Sequence, residues 1–147
     1  MIEEIYELRK IGMNREQAQL IRDSLVQVRP IADRIAESFY FHMFEIAPHL
    51  RKLFTGNMKT QGAMLMTSLE LAVSSLDDME SILPSVQALG ERHMSYGVKK
   101  EYYRYARESF LWALEKHLND EFTPTLKNAW SEAFDTLIEV MSNVADN

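Results

Sequence analysis

The C-terminal stretch decides what this chain can fold into. From residue 126 its apolar positions are Leu126, Trp130, Ala133, Leu137, Val140 and Val144, intervals of three and four that return to one face of an α-helix at every turn. Thr123-Pro124 opens the stretch as an N-cap followed by proline at the first helical position, where the missing N–H is not needed. A helix with so long an apolar stripe needs other helices to bury it. The rest of the chain supplies them, and no convincing period-two strand pattern occurs.

Asn14 with Gln17 three residues on reads as a capping box, and Ala18, Ile21, Leu25 and Val28 form the face of the helix it opens. Arg29-Pro30 breaks that pattern. The next helix runs to about Phe44, with Ile31, Ile35, Phe39 or Tyr40, and Met43 at helical spacing. Ala47-Pro48 allows only a short turn of helix, ending near Phe54, and Asn57 then caps a helix over about 58–73 with Gln61, Leu65, Leu69 and Ala72 on one face. The polar run from Ser74 to Asp78 separates it from a helix over about 82–93, which Gly97 stops. Residues 100–118 form a further helix with Tyr103, Phe110 and Leu114 inward. Ile2, Ile5 and Leu8 make a short pattern closed by Gly12, an N-terminal extension over residues 1–13. The expected fold is all-α, about seven helices in a single domain over residues 1–147, a length that suits one core and not two.

Charge and cysteine usage remove whole classes of function. A formal net charge of -6 argues against non-specific binding of nucleic acid. The absence of cysteine removes disulfides, thiolate catalysis and thiolate metal ligation. No run approaches the roughly 20 apolar residues of a membrane-spanning helix, so no membrane partner is expected. The start, Met1-Ile-Glu-Glu-Ile-Tyr, lacks the cationic and apolar segments of a secretory signal, and a cytoplasmic location is expected.

His93 is the most informative residue. Ile82, Val86 and Leu89 mark one helical stripe, and His93 falls on it one turn later. A desolvated, neutral imidazole with one basic nitrogen is what an iron ligand requires. Such a histidine, taken alone, is more often a satisfied core residue. His42, His49 and His117 look like exposed or boundary residues and receive no role.

Three segments change that balance. The run Leu89-Gly90-Glu91-Arg92-His93-Met94-Ser95-Tyr96-Gly97-Val98 resembles the proximal-histidine segment of globins. Phe44 to Phe54 resembles the globin segment that ends in a haem-contacting phenylalanine. Phe122-Thr123-Pro124 with Ala129-Trp130 resembles the opening of the last globin helix. The resemblance covers about residues 18–142, with bacterial single-domain haemoglobins, neuroglobin-like proteins and the haem domain of flavohaemoglobins as its nearest forms.

The resemblance implies a globin fold around a pocket for haem b (iron protoporphyrin IX). His93 would be the proximal ligand of the haem iron, and Phe54 would pack against the porphyrin. Gln61 falls at the distal position with Leu65 one turn later. Tyr40 would form the distal wall, and Val98 would touch the haem. Tyr40, Gln61 and Leu65 together resemble flavohaemoglobins, not myoglobin with its distal histidine. Tyr103 matches the flavohaemoglobin tyrosine that joins a glutamate and the proximal histidine, but the glutamate position is Ala145 here, with Asp146 and Glu139 out of register.

The distal trio makes chemical sense. Captured O2 gains partial negative charge on its outer oxygen, and preplaced donors stabilise it. A tyrosine hydroxyl and a glutamine NH2 are neutral donors, and Gln ligates iron poorly, so a vacant sixth position is expected. Reversible binding of O2, and of CO and NO, for storage, delivery or sensing is the leading expectation, with no catalytic residue assigned. An NO dioxygenase is the alternative. The flavin and nicotinamide domain of flavohaemoglobins does not follow before Asn147, so its electrons would come from a separate reductase. A haem-free globin-fold interaction or sensor module is a third reading.

Overall fold

The breaks at Arg29-Pro30, Ala47-Pro48 and Thr123-Pro124 divide the chain because proline cannot continue a preceding helix but can begin the next. The computed structural model describes residues 15–144. Within them lie six α-helices: α1 (Arg15–Val28), α2 (Ala32–Ile46), α3 (Met58–Ser74), α4 (Met79–Ser95), α5 (Tyr103–Leu118) and α6 (Pro124–Val144). Short 3-10 turns occupy Arg29–Ile31, Pro48–Leu53, Lys100–Tyr102 and Asn119–Glu121. The expected short helix ending near Phe54 is the second of these turns. The pattern over residues 2–10, the N-terminal extension, the Asn14 cap and the positions Ala145 and Asp146 lie outside the described residues.

The caps read from sequence at Asn57 and Thr123 are in place. Asn57 accepts hydrogen bonds from the Lys59 and Thr60 amides, and the Leu126 amide donates to Thr123 Oγ1 at 3.2 Å. Helix α4 begins at Met79, three residues earlier than its apolar pattern suggested. Pro84 falls inside it, near the N-terminus, and the helix continues through it to Ser95.

Helix α2 packs on α5 and α3, α4 lies along α6, and α1 closes the bundle against α6. Ala18, Ile21, Leu25 and Val28 are fully buried, as their spacing requires. Trp130, also buried, donates from Nε1 to Ser24 Oγ at 3.0 Å and locks α6 to α1. On α3 the innermost residues are Gly62, Met66, Leu69 and Val73, so the expected face is rotated by about one residue. Gln61 and Leu65 consequently flank the core, half-buried.

Two glycines set how closely the site-bearing helices approach their neighbours. A Cβ on Gly62 would lie 3.0 Å from Ala36 Cβ, where α3 crosses α2. A Cβ on Gly90 would lie 2.7 Å from the Met141 carbonyl oxygen, where α4 lies on α6. The second neighbour is backbone and cannot rotate away. Gly90→Ala should therefore destabilise the fold by about 1–2 kcal/mol, the cost of overpacking outweighing alanine's better helix propensity. Thermal unfolding followed by circular dichroism checks this, at about 2–4 °C of lowered midpoint per kcal/mol.

Candidate functional site

Helix α2 presents Tyr40 at the centre of an aromatic group. Both Phe39 and Tyr40 are buried, which resolves the alternative the helical spacing left open. Tyr40 meets Phe39 edge-on at 4.8 Å between ring centroids, Phe54 edge-on at 5.3 Å, and Phe44 stacked at 6.0 Å. Phe54 follows directly on the 3-10 turn, and Arg51 fixes it by donating to its carbonyl at 2.7 Å while covering the Phe44 ring.

The Tyr40 hydroxyl is held by the Gln61 side chain from α3. Burial pushes its pKa up to about 12, and the hydrogen bond with Gln61 only partly opposes that shift. Tyr40 is thus an O–H donor at any physiological pH. The close α2–α3 crossing at Gly62, next to Gln61, brings the two polar groups together. Leu65, one turn along α3, packs against the core beside them.

His93 lies in the last turn of α4, half-buried. That turn ends in a Schellman motif, in which the Val98 amide donates to the His93 carbonyl at 2.9 Å and the Gly97 amide to the Met94 carbonyl at 3.1 Å. Gly97 has φ 93°, the left-handed conformation the motif demands. Gly97→Ala should cost about 1–2 kcal/mol and loosen the segment that orients His93, read as earlier amide exchange of Val98.

His93 Nδ1 lies 3.3 Å from the Tyr103 hydroxyl. Burial, then the neighbouring Arg92 charge, lowers the imidazole pKa, so the ring is neutral at pH 7. With Nδ1 engaged, Nε2 is the nitrogen left to bind a metal, and Nδ1–H is then the donor to Tyr103. Burial also raises the Tyr103 pKa, and the side chain of Glu139 is exposed.

The structure thus gathers the expected residues into two groups, Tyr40, Gln61 and Phe54 in one, His93, Tyr103 and Val98 in the other. They meet where Leu53, beside Phe54, lies against Gly97, beside Val98. Their chemistry fits a haem: an aromatic wall, a neutral imidazole with one nitrogen spare, and buried neutral donors.

Comparison with known proteins settles the family. The globin family model matches residues 37–141. The chain is a globin. This globin is 25% identical over 135 residues to the flavohemoprotein of Bacillus subtilis and 27% identical to that of Halalkalibacterium halodurans, each match covering 90% of the chain. It spans about a third of those relatives' length, 34% and 33%. Its fold superposes on a bacterial globin from Campylobacter jejuni with TM-score 0.79 at 22% identity, over 90% of this chain and 96% of the other. It superposes on an engineered carbene transferase from Rhodothermus marinus with TM-score 0.80 at 25% identity, over 90% and 92%. Nitric oxide dioxygenase activity is ascribed to the parent of that enzyme.

Sequence reasoning missed two histidine contacts in this globin. His42 Nδ1 lies 3.0 Å from Ser109 Oγ, and its ring stacks on Trp112. His117 Nε2 lies 2.8 Å from Ser38 Oγ. Both join α2 to α5 and so brace the helix that carries Tyr40. The signal was present only as serine and histidine recurring on the inner faces of two helices not known to be neighbours. Among the described residues no helix is long and apolar enough to cross a membrane.

Proposed function

We propose that this globin holds one haem b through His93 and captures O2 reversibly on the opposite side. Ferrous haem, when bound, supplies the position at which O2 is taken up and released. The chain supplies the rest. Tyr103 orients the imidazole through Nδ1, Phe54 and Phe44 wall the pocket, and Tyr40 and Gln61 donate hydrogen bonds to the captured ligand. The observation that carries this reading is the buried Tyr40 hydroxyl, acted on by the half-buried Gln61 side chain and set beside Phe54. A tyrosine hydroxyl among aromatic rings costs desolvation energy, and here it is placed to donate to a partly charged ligand.

Absorption spectra of the ferric, ferrous, CO-bound and oxygenated protein test the reading. A five-coordinate ferrous spectrum that converts to a stable oxygenated one is expected. A protein without a Soret band, or a six-coordinate ferrous one, would overturn it.

The Rhodothermus relative and the flavohemoproteins favour a second reading, NO dioxygenation. Mixing the oxygenated protein with one equivalent of NO should give nitrate and ferric protein in a single fast step. NADH delivers electrons as a hydride pair, whereas ferric haem accepts one electron. Turnover with NADH alone should therefore be negligible, and a flavin reductase should restore it. Nitrate and NADH assays check this, and an oxygenated protein inert to NO would exclude it.

A further inference from the structure

We propose that the face beside His93 and Phe54 docks an acidic redox protein that keeps the haem iron reduced. This rests on the haem reading above and adds where the electron donor binds and what charge it carries. The sequence segregates its charge sharply. Residues 46–69 and 92–100 contain Arg51, Lys52, Lys59, Arg92, Lys99 and Lys100, and none of the chain's 22 acidic residues. The rest of this chain of net charge -6 is correspondingly more negative.

The fold brings these two segments together. Leu53 lies against Gly97, and the His49 ring meets Tyr102 at 5.6 Å. All six basic residues are exposed. At the end of α4, in sequence between Arg92 and Lys99, Met94 and Tyr96 are 48% and 69% exposed. An apolar centre with a charged rim is the anatomy of a protein-docking surface. Glu45, Glu91 and Glu101, all exposed, stand in sequence just outside the two segments.

The two carboxylates of a haem would neutralise at most two of the positive charges of Arg51, Lys52, Lys59, Arg92 and Lys99. The surplus is left for a partner. On an otherwise acidic molecule, a positive face beside the iron ligand also orients an acidic partner before contact, and such steering raises association rates. The last turn of α4, the 3-10 turn at Pro48–Leu53, the loop after it and the first turns of α3 carry the two segments.

The test uses the purified protein and an acidic flavodoxin as probe. Stopped-flow reduction of the ferric protein by flavodoxin hydroquinone should slow at least about tenfold between low and high salt. The double variant Lys52→Glu, Lys99→Glu should lose a similar factor at low salt, whereas Lys127→Glu, on α6, should not. Reduction by dithionite at high salt should be equal in all three proteins. Fluorescence anisotropy of labelled flavodoxin should show salt-sensitive binding that the double variant weakens. A normal haem spectrum with salt-independent reduction, or a double variant equal to the parent, would overturn the docking surface alone. Binding to phosphatidylserine vesicles but not to flavodoxin would overturn it in favour of a membrane. Salt-sensitive flavodoxin binding by a protein with no haem spectrum would support the surface and overturn the haem reading.

Discussion

His93→Ala should abolish the five-coordinate ferrous haem spectrum while leaving the helical fold measurable by circular dichroism. The imidazole is the one candidate ligand that is half-buried, neutral and held by a tyrosine at its other nitrogen. Its replacement removes a metal bond and leaves space where the ring stood. Free imidazole added to the variant should occupy that space and restore the spectrum, which a merely structural histidine would not show. His49→Ala, at an exposed residue, should keep the parent spectrum, as should His42→Ala despite losing the contact with Ser109. An unaltered spectrum in His93→Ala, or its loss in His49→Ala, would place the ligand elsewhere. Tyr103→Phe should act more mildly, because removing a group that orients a ligand typically weakens metal affinity by about 10–100-fold.

How much of this was legible in the sequence follows from which interactions are local. The stripe Ala18, Ile21, Leu25, Val28 and the caps at Asn57 and Thr123 depend on residues within a turn or two of each other, and the structure matches them. Gly97 was legible as a stop for the same reason. The choice between Phe39 and Tyr40 was not legible, because α2 is covered by α3 on one side and α5 on another and buries both. The inner face of α3 was read one residue off, since the close crossing at Gly62 turns that residue inward. Gly90 looked like an ordinary helical glycine until α6 was placed against it. The meeting of Tyr40 with Gln61, and of His93 with Tyr103, rests on spacing that only a family resemblance could interpret.

Tyr40→Phe should speed O2 release by about 10- to 100-fold. Losing a hydrogen bond to a partly charged acceptor removes about 1.5–3 kcal/mol, and each 1.4 kcal/mol is roughly a factor of ten. Bound CO carries less charge, so CO release should change far less, and that contrast separates a lost donor from a distorted pocket. Gln61→Leu should act in the same direction. The two effects should not add, because Gln61 also hydrogen-bonds the Tyr40 hydroxyl and its loss frees that group to reorient. The pH dependence is a second, independent check. Burial favours the neutral phenol and raises its pKa from 10.0 to about 12, so the donor is fully present at neutral pH and is lost only as pH climbs towards 12. O2 release from the parent protein should accordingly stay flat from pH 7 to 10 in stopped-flow measurements. A solvated phenol at its ordinary value would already be half ionised at pH 10, and release would have begun to accelerate. Rates unchanged in both single variants and in the double variant would remove Tyr40 and Gln61 from the ligand's surroundings.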